Sequence, residues 1–153
     1  PRATASSSSA WRRAAEVRWL AIDLGDARIG LAVSDPSGMI ASPAGFVARR
    51  RGKKIPVATL IAKQVELEAE GFVVGLPLDG EGNDTPRATD ARWLAAELTK
   101  RTTLPSRLVD ERYTTAIARR AIREMGGAQH ERRGDVDALA ATVLLQHALG
   151  LDA

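Results

Sequence analysis

The chain has 153 residues, of which 44% are apolar, no cysteine and a formal net charge of +3. This length forms about one domain with a sizeable core. The lack of cysteine excludes disulfide scaffolds, thiolate zinc sites and cysteine nucleophiles. No apolar run approaches the ~20 residues of a membrane span, and the first residues lack the apolar core of a signal peptide. We therefore expect a soluble, cytoplasmic protein without a membrane partner.

The charge is distributed unevenly along the chain. Residues 1–54 carry ten Lys or Arg against four Asp or Glu, whereas residues 55–110 carry six against nine. The densest basic run covers residues 49–54. A positive pole beside a negative region suits a polyanion such as nucleic acid. Charge alone is equally compatible with a solvated surface that has no partner.

Residues 1–16 are rich in Ser and Ala without hydrophobic periodicity, and we expect them to form a disordered or irregular extension. The folded domain is expected over 17–150. Its first two strands, predicted over 17–24 and 30–34, are separated by turn-forming residues and should pair as an antiparallel hairpin. A third strand follows, and Pro43 places part of it at a sheet edge or bulge.

The remaining chain alternates between helical and strand patterns. The predicted elements are a helix over 55–70, a strand over 72–76, a helix opened by Thr85 and Pro86, a strand over 105–109, a helix over 113–125 and a final amphipathic helix. Trp19 and Trp93 are interpreted as packing residues. The order β-β-β-α-β-α-β-α-α predicts an α/β fold with a mixed five-stranded sheet and helices on both faces.

Three acidic residues each lie at the end of a regular element beside apolar sequence. Asp23 ends the first strand, where an uncompensated charge costs several kcal/mol. Glu111 follows the last strand, and Asp137 lies at the start of the final helix, where the helix dipole favours negative charge. Mg²⁺ and Mn²⁺ prefer oxygen ligands, and two ions about 4 Å apart can support phosphoryl transfer. Three acids from distant segments could build such a site.

Each acid also has a structural alternative. Asp135 is a secondary ligand candidate, but it suits the N-cap of the final helix, which makes Asp137 the stronger candidate. Asp110 is likewise secondary, because it could simply pair with Arg112. Glu111 could form a surface salt bridge. These alternatives stay open from the residue pattern alone.

Four motifs resemble those of the YqgF/RuvX family, in the same order and over nearly the whole domain. They are Asp23-Leu24-Gly25-Asp26-Ala27-Arg28-Ile29-Gly30, Val74-Gly75-Leu76-Pro77, Asp110-Glu111-Arg112 and Asp135-Val136-Asp137-Ala138-Leu139-Ala140-Ala141. The resemblance implies an RNase H-like fold. It also implies that Asp23, Glu111 and Asp137 are catalytic acids holding one or two ions, Mg²⁺ or Mn²⁺. Ala27 stands where the family often has a basic residue.

The leading hypothesis is therefore a metal-dependent endonuclease acting on structured nucleic acid. Members of the family are assigned to maturation of the 5′ end of pre-16S rRNA, which is the substrate we favour, or to resolution of Holliday junctions in branched DNA. Basic residues must offset the acids near a phosphate backbone. The candidates for nucleic-acid binding are Arg28, Arg49, Arg50, Arg51, Lys53, Lys54, Arg112, Arg119, Arg123, Arg132 and Arg133.

Two rival functions predict different behaviour. An inactive RNA- or ribosome-binding module would bind nucleic acid without cleaving it. A sugar-kinase or actin-type ATPase also begins with Asp-x-Gly after a strand, but this chain has no room for the second domain that such enzymes need. Resolvases cut two strands symmetrically, so a homodimer is expected if the substrate is a junction.

Overall fold

The computed structural model describes residues 16–49, 54–112, 114 and 133–151. The elements, in chain order, are β1 (Trp19–Leu24), β2 (Arg28–Ser34), β3 (Ala41–Ala48), α1 (Val57–Glu66), β4 (Gly71–Leu76), α2 (Pro86–Thr102), β5 (Ser106–Asp110) and α3 (Arg133–Gly150). These elements confirm the predicted order. The helix predicted over 113–125 lies outside the described residues apart from Thr114, as does the predicted extension apart from Glu16.

The five strands form one mixed sheet in the order β3-β2-β1-β4-β5. The first three pair antiparallel, and β4 and β5 run parallel to β1. The turn of the predicted hairpin is tight, because the Gly25 N–H donates to the Arg28 carbonyl oxygen at 3.0 Å. Arg28 itself is the first residue of β2 and not a turn residue. Pro43 lies in the edge strand β3 opposite Ala32, next to a register shift, which confirms its predicted position.

Side chains alternate between the two faces of the sheet. Leu20 and Ile22 of β1 belong to one apolar cluster, which packs against α1 and α2. Trp19 and Ala21 of the same strand belong to a second cluster, which packs against α3. The prediction of helices on both faces is confirmed. By the same alternation, Asp23 lies on the face covered by α3.

The helix α2 begins where the sequence predicts. Thr85 is its N-cap, with the side-chain oxygen accepting from the Ala88 N–H at 3.2 Å, and Pro86 is the first helical residue. The buried stripe consists of Ala88, Ala91, Leu94, Ala95 and Leu98.

The two tryptophans interpreted as packing residues, Trp19 and Trp93, differ in their surroundings. Trp19 is buried, and the guanidinium of Arg107 lies 5.6 Å from the centroid of its ring. Its predicted packing role is confirmed. Trp93 is 48% exposed, so the same prediction is wrong for this residue. The reason is helical periodicity, since Trp93 lies on a flank of α2 outside the buried stripe.

The helix α3 is attached to the sheet near both of its ends. It begins at Arg133, so Asp135 lies within the first turn and not at the N-cap position considered from the sequence. Near the other end, the Gln146 amide donates to the Met39 carbonyl oxygen at 3.1 Å and accepts from the Ala41 N–H at 3.0 Å.

In the part of the chain that the structure describes, no helix is long and apolar enough to cross a bilayer.

Candidate active site

Asp23 and Glu111 meet on the face of the sheet that α3 covers. Asp23 is the fifth residue of β1, near the middle of the sheet, and Glu111 follows β5 directly. The Glu111 N–H donates to the Leu76 carbonyl oxygen at 3.2 Å, which fixes the Glu111 backbone at the end of β4. The two carboxyl groups are joined by a hydrogen bond. Two acids that are far apart in the chain therefore form one carboxyl pair.

Gly75 provides the space for this pair. It lies in β4, the strand between β1 and β5, and is paired with Val109. A Cβ at this position would lie 2.4 Å from Glu111 Oε2 and 3.0 Å from a methyl carbon of Leu144. The missing side chain lets the Glu111 carboxyl group extend over β4, between the sheet and α3.

Gly30 has the corresponding role for Asp137. It is the hairpin partner of Asp23, and a Cβ there would lie 2.0 Å from the Asp137 carbonyl oxygen. The first turn of α3 therefore rests directly on β2 beside Asp23. The Asp137 carboxylate accepts from Arg28 Nε at 2.6 Å, and these side chains are 26% and 30% exposed.

The electrostatics of the carboxyl pair are unfavourable for its ionised form. Burial raises the pKa of Asp23, the hydrogen bond from Glu111 lowers it, and the charge of Asp137 raises it. Burial and then the charge of Asp23 raise the pKa of Glu111 from 4.5 to about 7. The charge of Arg87 lowers the pKa of both acids without cancelling these effects. The pair therefore retains a proton more readily than ordinary carboxyl groups do.

Asp137 does not join the carboxyl pair directly. Its carboxylate contacts Arg28, while Asp23 and Glu111 contact each other. Within residues 16–49, 54–112, 114 and 133–151, no group of three His, Cys, Asp or Glu side chains is arranged to hold a metal ion. The structure thus brings two of the three predicted acids together and places the third beside them with a basic partner.

The secondary candidates have other surroundings. Asp110 accepts from Arg112 Nε at 2.8 Å and from Arg112 Nη2 at 2.6 Å. The hydrogen bond from Arg112 holds the pKa of Asp110 below its usual value. This is the ion pair that the sequence left open as the alternative for Asp110. The side chain of Asp135 lies outside the described residues.

Four of the predicted nucleic-acid-binding side chains are described. Arg28 pairs with Asp137 and Arg112 pairs with Asp110. Arg49 donates to the Gly25 carbonyl oxygen at 3.3 Å, and Lys54 lines a surface pocket beside α1. The others lie outside the described residues, namely Arg50, Arg51, Lys53, Arg119, Arg123, Arg132 and the side chain of Arg133.

Arg87 is a residue of the site that the sequence analysis missed. It lies in the first turn of α2, bonds to Asp26 in the hairpin turn, and carries the positive charge that acts on Asp23 and Glu111. The sequence signal that pointed to Arg87 was its position directly after Thr85 and Pro86, which start α2. That signal fixes the helix register, but it does not show which loop the helix start faces.

Comparison with known proteins shows the family of this chain and supports its fold. The family described as "RuvX: Holliday junction resolvase" matches residues 17–151. A protein of Clavibacter michiganensis is 42% identical over 130 residues, covering 85% of this chain and 81% of the relative. A protein of Anaeromyxobacter is 43% identical, covering 85% of this chain and 94% of the relative. Both carry the name "Putative pre-16S rRNA nuclease".

Among solved structures, RuvC of Thermus thermophilus in complex with a Holliday junction has the same fold. The TM-score is 0.55 at 16% identity, covering 88% of this chain and 94% of RuvC. The fold is therefore RNase H-like, as the resemblance implies. Family match, relatives and fold agree with the motifs found in the sequence, and the chain belongs to the RuvX family.

Proposed function

We propose that this protein is a divalent-metal-dependent endonuclease that hydrolyses phosphodiester bonds in structured nucleic acid and processes the 5′ end of pre-16S rRNA. The observation that carries the proposal is the pair of partly buried carboxyl groups, Asp23 and Glu111, with Asp137 beside them. Relatives at about 40% identity bear the corresponding name, which favours the rRNA precursor as substrate.

The residues present fit a hard divalent cation. Asp23 and Glu111 offer carboxylate oxygens, which Mg²⁺ and Mn²⁺ prefer. Burial and the charges of neighbouring acids raise the pKa values of both groups, and a bound cation would offset these effects. Asp137 would complete the set after leaving Arg28. A bound ion would stabilise the charge that develops on the phosphate during hydrolysis and activate the attacking water.

The basic residues have a separate task in this proposal. A carboxyl pair repels the phosphate backbone, so cations beside it must attract the substrate. Arg87 lies at the hairpin turn after β1, and Arg28 lies at the start of β2. Their guanidinium groups can donate to phosphate oxygens in two-point contacts. We assign them to holding the phosphodiester bond over the acids while water attacks phosphorus in line with the leaving oxygen.

The test is cleavage of a pre-16S rRNA fragment with Mg²⁺ or Mn²⁺ by the wild type and by Asp23→Asn and Glu111→Gln. We expect each variant to lose at least about 100-fold in rate, the effect of removing one strong electrostatic contributor. Asp35→Asn is the matched control, because Asp35 lies past the far end of β2. Retained cleavage in Asp23→Asn, or no metal-dependent cleavage by the wild type, would overturn the proposal. Binding without cleavage would identify the inactive RNA-binding module.

A second candidate is resolution of Holliday junctions. The family description and the shared fold with RuvC favour it. A junction carries two symmetric cleavage points, so this function requires a homodimer. Parallel assays on a four-way DNA junction and the rRNA fragment, with the mass of the complex measured in solution, separate the two substrates. Faster cleavage of the junction by a dimer would favour the second candidate.

A further inference from the structure

A second site lies away from the carboxyl pair. A pocket of about 600 Å³ opens between the beginning of α1 and the exposed flank of α2. Its walls include three cationic side chains, one acidic side chain and one tryptophan, which are Arg49, Lys54, Arg101, Asp90 and Trp93. The pocket therefore combines positive charge with an aromatic surface. Neither property is needed for the packing of the sheet.

Trp93 is the aromatic wall of this pocket. Nearly half of its surface is exposed, although the α2 stripe that packs on the sheet is formed entirely by aliphatic side chains. An exposed indole offers a flat face on which a nucleic acid base can stack. Asp90, Trp93 and Arg101 recur at spacings of three and eight residues, which places them along one flank of the helix. The indole and a cation therefore face the same space.

The charge of the pocket favours a phosphate. Its acid, Asp90, lies 3.5 Å from Arg49 Nη2, a long and partly solvated contact. Arg101 pairs with Glu97 at 3.0 Å, again at the surface. The Arg49 side chain is only 16% exposed, whereas Arg101 is 46% exposed and forms a weak ion pair at the surface. Arg101 and the exposed Lys54 are therefore the cations most available to a polyanion, and Arg49 adds its charge from the pocket wall. A base on Trp93 with phosphates at the cations is the ligand chemistry that matches these walls.

The pocket is connected to the carboxyl pair through two arginines. Arg49 lines the pocket and also donates to the Gly25 carbonyl oxygen, two residues after Asp23. Arg87, on the same helix as Trp93, acts on Asp23 and Glu111. The six residues from Arg87 to Trp93 span about 9 Å along the helix axis. A strand that contacts Arg87 could therefore extend along α2 to Trp93.

We propose that the pocket binds a nucleotide in a single-stranded segment flanking the cleavage point, with the base stacked on Trp93 and its phosphates beside Arg49, Lys54 and Arg101. The inference rests on the proposed function and narrows it. The substrate then contains an unpaired strand, which the pocket holds beside the cleavage point.

The test measures binding without cleavage. A fluorescent RNA hairpin with a single-stranded extension of about eight nucleotides, and the same hairpin with a blunt end, are titrated in EDTA. We expect the wild type to prefer the extended hairpin. Trp93→Ala should weaken its binding roughly fivefold or more and leave the blunt hairpin unaffected. Trp93→Phe keeps a stacking face and should retain most of the preference.

Substitutions of two neighbouring cations on α2, Arg101 and Lys100, test how the positive charge of the pocket contributes to binding. Arg101→Ala should weaken binding of the extended hairpin and reduce the slope of log K against log salt by about one. Lys100→Ala removes the same charge from an exposed position that does not line the pocket, and should leave the preference for the extension intact. Equal losses in both variants would show a general charge effect and overturn the site.

Two further outcomes would overturn the inference, namely equal binding of both hairpins by the wild type and an unchanged preference in Trp93→Ala. Displacement of the extended hairpin by AMP at a concentration comparable to that of a competing oligonucleotide would assign the pocket to free nucleotides instead of a strand. Unfolding temperatures verify that the variants remain folded. The proposed function fails separately, because it depends on metal-dependent cleavage, whereas this site is measured without metal.

Discussion

The two faces of the sheet are built differently although the same strands supply both. On the face covered by α1 and α2, large aliphatic and aromatic side chains such as Leu20, Ile22 and Phe72 are fully buried. On the face covered by α3, the strands present small residues such as Ala21 and Ala32, and three glycines lie where a side chain would clash. The first face provides most of the apolar burial. The second face admits carboxyl groups close to the sheet.

Within the single strand β1, neighbouring residues contribute separately to stability and to chemistry. Ile22 adds to the large core, and its neighbour Asp23 enters the carboxyl pair on the other face. Ionisation of such a buried carboxyl pair opposes folding, because burial removes its charges from water. The burial on the face of α1 and α2 must outweigh that cost. Substitutions on the two faces should therefore have different consequences.

The largest expected effect on stability comes from the face of α1 and α2. Leu94→Ala removes a fully buried side chain and should lower the free energy of unfolding by about 2–5 kcal/mol. Leu108→Ala is the matched control, because Leu108 is 37% exposed. Urea unfolding of both variants measures the difference. Equal losses would contradict the assignment of Leu94 to the main core.

Gly75→Ala should have the next largest effect, and it should lower both the stability and the cleavage activity of the protein. The added Cβ would contact the Glu111 carboxyl group and Leu144, so we expect a loss of about 1–3 kcal/mol in stability together with reduced cleavage. Gly80→Ala introduces the same methyl group where nothing lies within 4 Å. The test compares the unfolding curves and the cleavage rates of the two variants. Full activity in Gly75→Ala would show that Glu111 needs no such space.

The carboxyl pair should make stability fall with rising pH when metal is absent. The folded pKa of Glu111 is raised from 4.5 to about 7, and that of Asp23 is raised as well. The folded state then binds more protons than the unfolded state, so stability decreases as pH rises through this window. We expect the unfolding temperature in EDTA to drop by a few degrees, since ~1 kcal/mol shifts it by roughly 2–4 °C.

Two comparisons sharpen this pH prediction. Mg²⁺ or Mn²⁺ added at the upper end of the window should restore the unfolding temperature, because a ligand that binds only the folded state stabilises it. Asp23→Asn removes one charge of the pair and should flatten the pH dependence in EDTA. A pH dependence that is the same in Asp23→Asn and in the wild type would refute the carboxyl pair as its source.

The smallest expected effect concerns the ion pair of Arg28 with Asp137. Both side chains are partly shielded, and we expect Arg28→Gln to cost no more than about 1 kcal/mol in stability. Arg92→Gln breaks a more exposed pair with Asp84 and should cost less. Denaturant titration of the two variants shows which ion pair contributes more to the free energy of unfolding. The reverse ranking would show that shielding by α3 adds nothing to the Arg28 pair.

Local chemistry in the sequence predicts much of the fold. Thr85 and Pro86 start a helix where they stand, because an N-cap side chain and a fixed φ angle act on their own segment. Pro43 lies at an edge because it lacks the N–H that a central strand needs. The turn-forming residues between β1 and β2 predict their hairpin. Each of these features depends on neighbouring residues in the chain.

The candidate site is less predictable, because it depends on contacts between distant segments. Asp23, Glu111 and Asp137 can be selected from their positions at the ends of elements. Their actual partners could not be selected in this way. Arg28 pairs with Asp137 only because Gly30 lets α3 approach β2. Trp93 has an apolar side chain, yet the helix register turns it to the surface.

The side chain of Gln146 completes the sheet at the start of β3. Its amide donates to the Met39 carbonyl oxygen and accepts from the Ala41 N–H, as the peptide group of a neighbouring strand would do. Edge strands with free backbone groups invite pairing with other chains, particularly where apolar residues such as Met39 and Ile40 are exposed. The amide of one helical residue therefore protects this corner of the protein from aggregation.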